Sequence, residues 1–195
     1  MTVSKTRDML VDVARQLFAR MGVDNTTMND IAQASKKGRR TLYTYFKNKN
    51  EIYLAVIESE LGQLYETLRK VAIKDMPADD KLVTFIYARL DAIKTIVYRN
   101  GTLRATFFRD IWRVENVRKK FDISETKLIQ GILEEGVKSG LFSMPDTETT
   151  AIVLHNALKG LEVPYIRGVM GDTMAQRIKR RDNVVNLIFN GIRKK

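Results

Sequence analysis

The 195-residue chain contains no cysteine, so no disulfide can staple it and no thiolate can bind metal or act as a nucleophile. It has only three prolines, Pro77, Pro145 and Pro164, which leaves room for long helices. A single histidine, His155, stands without a glycine-rich phosphate loop or a paired metal-ligand motif. That inventory is too thin for an enzyme, and neither a metal nor a cofactor is expected. No stretch approaches the roughly 18 apolar residues that a bilayer span requires. Near the N-terminus, Asp8 and Asp12 interrupt the apolar residues, as in an amphipathic helix rather than a signal peptide. A cytoplasmic protein with no membrane partner is therefore the expectation. Sustained alternation of Val, Ile and Thr is also missing, so the fold class read here is all-α.

Positive charge is what the chain has in surplus. Thirty-four Lys and Arg face 23 Asp and Glu, a net charge of +11, which points toward a polyanion. Its distribution says more than its size. From Ser35 to Lys49 the charged residues are Lys36, Lys37, Arg39, Arg40, Lys47 and Lys49, with no acid among them. Charge alone does not separate a solvated face from a polyanion-binding one.

Apolar spacing predicts a helix over 5–21, closed by Gly22. Short helices follow over 28–34, where Thr27 and Asp30 form an N-terminal capping pair, and over 39–46, after a polar turn at 35–38. A longer helix is expected over 50–71. Beyond Pro77 the pattern predicts helices over 79–99, 102–115, 121–139, 147–168 and 173–192. Two short helices joined by a tight turn make a helix-turn-helix. Leu42 and Phe46 would anchor its second helix, leaving Arg39, Arg40, Thr41 and Thr44 free for the major groove. Arg can pair with guanine O6 and N7, and a Thr methyl can touch thymine. Lys47 and Lys49 fall where the chain would pass the phosphate backbone.

Ile31-Ala32-Gln33-Ala34, Thr41-Leu42-Tyr43-Thr44-Tyr45-Phe46-Lys47-Asn48-Lys49 and Glu51-Ile52 resemble the DNA-binding domain of the TetR family without a gap. Ala14-Arg15-Gln16-Leu17-Phe18, Gly22 and Thr26-Thr27 extend the likeness, which covers about residues 7 to 57. The resemblance implies phosphate contacts by Thr27, Tyr43 and Lys49. It also implies base readout by Arg39, Arg40 and Thr41, with Thr44 and Tyr45 near the groove wall. Lys36 and Lys37 complete the DNA-binding set. The turn departs from the family pattern: Lys36 stands where Gly is usual, Gly38 where Ser is usual, and Arg40 where Gly is frequent. A Lys forced to positive φ costs about 1–2 kcal/mol.

The expected organisation is a helix-turn-helix domain over 1–50 and a helical effector-binding and dimerisation domain over 51–195. Apolar arcs wider than one face, including Leu154, Leu158, Leu161, Val184 and Ile188, suggest a partner surface; the resemblance implies that this partner is a second copy, giving a homodimer. Phe85, Tyr98, Phe107, Phe108, Trp112 and Tyr165 read either as packed core or, by the resemblance, as the lining of an effector pocket. Arg89, Arg104 and Arg109 are candidate counter-ions for an acidic effector, and His155 reads as an interface or core residue. The expected function is a repressor of double-stranded DNA, released from a pseudo-palindromic operator by a small molecule. An activator, or a regulator controlled by a protein partner, would share these features.

Overall fold

The computed structural model describes residues 2–100 and 111–167, together with 183 and 186–188. Among these residues the elements are α1 (Thr2–Met21), α2 (Met28–Ala34), α3 (Arg39–Tyr45), α4 (Lys49–Ala72), α5 (Ala78–Arg99), α6 (Ile111–Lys138) and α7 (Thr147–Ile166), with no strand. The described residues fall into two compact units: Met1–Gln63 with Thr95–Lys120, and Leu64–Lys94 with Phe121–Lys195.

In the first unit, Leu10, Ala14, Leu17 and Phe18 form the buried stripe of α1, spaced three and four apart as one face of a helix requires. Gly22, at φ +87°, closes α1 by donating its N–H to Phe18 O at 3.0 Å. Tyr53 of α4 meets the Phe18 ring edge-on, with centroids 6.3 Å apart. Glu60 of α4 is buried but not isolated. It pairs with Arg99 of α5, and Arg15 Nε of α1 lies 3.7 Å from its other oxygen.

The second unit is closed by Leu68, Leu82, Phe85, Ile86, Ile129, Leu133 and Leu158. Helix α6 is continuous through 115–121, where two helices are expected from sequence. No Gly or Pro occurs between Ile111 and Gly131 to break it, and a charged stretch by itself does not end a helix. The expected segment 102–110 and most of 173–192 lie outside the described residues. Helix α7 starts on Asp146, whose carboxylate accepts N–H bonds from Glu148 at 2.9 Å and Thr149 at 3.2 Å. Its buried stripe is Ala151, His155, Leu158, Glu162 and Ile166. Pro164 removes one N–H donor two residues before the end.

Candidate nucleic-acid interface

Thr27 fixes where α2 begins. Its hydroxyl oxygen accepts from Asp30 N at 3.2 Å, and Asp30 Oδ2 accepts from Thr27 N at 2.8 Å, a complete reciprocal cap. Those bonds hold the Asp30 carboxyl below the usual aspartate range, chiefly through the Thr27 backbone N–H. Thr26, just before, is fully buried and donates its hydroxyl to Gly22 O at 2.7 Å. The loop from α1 into α2 is therefore fastened at both ends.

The turn after α2 is a Schellman motif. Lys36 N–H donates to Gln33 O at 3.0 Å and Lys37 N–H to Ala32 O at 3.1 Å, while Ser35 Oγ donates to Ala32 O. This geometry requires a left-handed residue at position 36, and Lys36 has φ +53°, alone among the described non-glycine residues. Gly38 then caps α3 with extended backbone and no side-chain bond.

Helix α3 turns Leu42, fully buried, and Phe46 at its end inward. The guanidinium of Arg7 sits 5.3 Å from the Phe46 ring centroid, a cation–π contact that ties α1 to the end of α3. Arg39, Arg40, Tyr43 and Thr44 are exposed, and Thr41 and Tyr45 are half-buried. Tyr43 is 44% exposed, high for an aromatic ring on a short helix. Thr44 donates its hydroxyl to Arg40 O at 2.9 Å, so its methyl is the group left for outward contact. Lys36, Lys37 and Lys47 are exposed too. The basic run, Lys49 apart, is thus exposed to solvent.

Two residues have roles beyond those expected above. Lys49 Nζ donates to Val23 O at 2.6 Å and to Asp24 O at 3.1 Å. It bolts the start of α4 to the α1–α2 loop and keeps one N–H in reserve. Glu51 accepts from Lys47 N at 2.7 Å, and Asn48 Oδ1 accepts from Glu51 N at 3.0 Å, so a paired cap fixes the α3–α4 corner. Asn48 followed at three residues by Glu51 is a visible capping signature, whereas the Lys49 clamp joins residues 25 and 26 positions apart.

Residues 10–56 match the family described as bacterial regulatory proteins, tetR family. The chain carries a TetR-type DNA-binding domain. It is a DNA-binding transcriptional regulator and not an enzyme. It is 23% identical to the HTH-type transcriptional regulator QacR of Staphylococcus aureus, over 96% of this chain and 98% of that one. It is 28% identical to the HTH-type transcriptional repressor KstR2 of Rhodococcus jostii, over 71% of this chain and 69% of that one. Its fold matches a protein from Saccharomonospora viridis solved in complex with choline, with a TM-score of 0.72 and 18% identity, covering 98% and 100% of the two chains. TetR-family regulators bind DNA and dimerise. No helix among the described residues is long and apolar enough to cross a membrane.

The residues expected in the TetR-type effector region are divided among the two units and the segment outside the described residues. Phe85 is buried in the second unit, whereas Tyr98 belongs to the first unit and is 59% exposed. Tyr165 is half-buried, donates its hydroxyl to Asp91 Oδ1 at 2.5 Å and lies under Lys94 Nζ. Phe107, Phe108, Arg104 and Arg109 lie outside the described residues. Trp112 stands in the first turn of α6, its side chain outside what is described. Arg89, a candidate counter-ion for an effector, is fully buried and already paired with Glu125 and Glu162. Burial opposes its charge, but the two acids outweigh that and hold its pKa above the ordinary arginine value.

On the expected dimer face, Leu158 is buried within its own unit, Leu154, Leu161 and Ile188 are half-buried, and Val184 lies outside the described residues. The large apolar side chains of α7 that face solvent are Ile152, 46% exposed, and Val153, 62% exposed.

Proposed function

We propose that this regulator is a homodimeric repressor that holds a pseudo-palindromic operator through α3 and is released by a small-molecule effector. The observation that carries the operator part is the solvent exposure of Lys36, Lys37, Arg39, Arg40, Tyr43 and Lys47, in a stretch without acids, on and beside a helix anchored by Leu42. Anchoring on one side and solvent on the other is what a recognition helix needs. In this reading Arg39, Arg40 and Thr41 reach base edges, while Thr44 offers its methyl and Tyr45 stands near the groove wall. Thr27, Lys36, Lys37, Tyr43, Lys47 and the remaining N–H of Lys49 serve phosphates.

Residues 1–50 form the DNA-reading part and 51–195 the effector and dimer part. Two recognition helices must lie about 34–36 Å apart to enter successive major grooves, which one copy cannot arrange. The solvent-facing Ile152 and Val153, with Leu154 and Leu161 beside them, support pairing through α7. Release by a small molecule is supported by the choline-bound fold relative and by a repressor among the sequence relatives. It requires the effector to favour the conformation that does not fit DNA.

Binding-site selection on random duplex, with wild type, Arg39→Ala and Arg40→Ala, tests the operator part. The expected outcome is a pseudo-palindromic site in which each variant relaxes preference at particular positions, by about 1–3 kcal/mol per lost base contact. Unchanged preference in both variants would remove these residues as readers.

A further inference from the structure

One cluster of charged groups in the second unit is absorbed by neither DNA reading nor pairing. Arg89 of α5 gives Nε to Glu125 of α6 and Nη2 to Glu162 of α7, the latter at 2.7 Å. Lys159 of α7 donates to Asp122 Oδ2 of α6 at 2.7 Å. His155 of α7 stands among them, with Nδ1 3.4 Å from Glu125 Oε2 and Nε2 3.6 Å from Asp122 Oδ1. His155, Arg89, Glu125 and Glu162 are all buried.

The geometry points to a cation at His155. A neutral imidazole has one N–H and one lone pair, so either tautomer would aim a lone pair at a carboxylate oxygen within 3.6 Å. Only the doubly protonated ring suits both neighbours.

A divalent metal suits the place less well, although Asp122, Glu125 and His155 bring ligand atoms within 4.8 Å of one another. The two ring nitrogens face different acids. The second oxygens of Asp122 and Glu125 are already held by Lys159 and Arg89.

We propose that His155 is a buried proton site that locks α7 onto α6, and that loss of this proton as pH rises opens the lock and weakens operator binding. Burial disfavours the charged ring, but contact with Asp122 and Glu125 and their charge outweigh it, so the pKa is raised above the ordinary histidine value. A raised folded-state pKa means that the stabilisation is complete below the unfolded-state value. It disappears as pH rises through the folded-state one. Helix α5 runs unbroken from Arg89 of this cluster to Arg99, the partner of Glu60 in the first unit. The operator part of this proposal rests on the DNA-binding reading above; the lock itself does not.

Because His155 is the only histidine, its ring C2–H resonance can be followed in the full-length protein by NMR from acid to alkaline pH. The midpoint should lie above the ordinary histidine value and move down in Asp122→Asn. A midpoint at or below the ordinary value, or one unmoved by Asp122→Asn, overturns the lock. Zinc chloride should leave the ring resonances of the protonated form in place; a stoichiometric shift would make this a metal site and overturn the proposal.

Wild-type operator affinity, read by fluorescence anisotropy, should fall several-fold across the same midpoint, with no such step in His155→Gln. A step of equal size in that variant overturns the coupling. Failure of the wild type to bind any duplex at any pH would instead sink the operator reading, and the ring titration would still decide the lock.

Discussion

Lys36 shows a residue kept against its own conformational preference. In the motif that closes α6, Gly140 takes the left-handed position at φ +75°, with Leu141 N–H bonded to Gly136 O and Gly140 N–H to Val137 O. The same pair of bonds closes α2, yet a lysine occupies the left-handed position there. Strain of this kind persists where something else requires the side chain, and here the side chain adds charge beside α3. Lys36→Gly should raise unfolding stability by about 1 kcal/mol, or roughly 2–4 °C in a protein of this size. It should also lower operator affinity at low salt and flatten the salt dependence by about one phosphate equivalent. Urea unfolding and a salt titration of binding check the two halves, and a loss of stability would show that φ +53° is unstrained.

The end of α6 leaves no room for one added carbon at Gly136. Gly136 is buried, and a Cβ placed there would sit 2.0 Å from Phe142 Cδ2. Phe142 is 2% exposed and packs in the space where residue 136 has no side chain, folding the chain back after Gly140. Gly136→Ala should therefore destabilise the protein by about 1–3 kcal/mol, whereas the same change at Gly131, with nothing within 4 Å of its Cβ, should be stabilising by roughly 0.5–1 kcal/mol through helix propensity. Chemical denaturation of the two variants side by side is the check. Equal effects would mean that Phe142 moves aside without cost.

At the scale of the whole molecule the demands are charge and symmetry. A net charge of +11 draws the protein to any polyanion, but only a pair of recognition helices at a fixed spacing converts attraction into site selection. Val153, 62% exposed on α7, tests that requirement without touching the DNA surface. Val153→Glu should fold, because the position makes little intramolecular core. It should also shift sedimentation from dimer toward monomer and weaken operator binding well beyond a loss of one contact. A dimer of unchanged affinity would place the pairing surface elsewhere.

Local order along the chain decided much of this without help from distant contacts. The cap at Thr27 and Asp30, the stop at Gly22, the span of α2 and the inward Leu42 and Phe46 depend on residues within four positions of each other, so spacing alone reveals them. The charge surplus and its acid-free stretch are likewise properties of order. What the chain could not disclose is whatever joins residues far apart. Lys49 reaches back to the α1–α2 loop, and Arg89 is consumed by acids 36 and 73 positions away instead of waiting for a ligand. His155 acquires its charge from two carboxylates on another helix. A side chain's protonation and availability are set by neighbours that only packing supplies, because an ion pair forms wherever opposite charges are desolvated together, however distant in sequence.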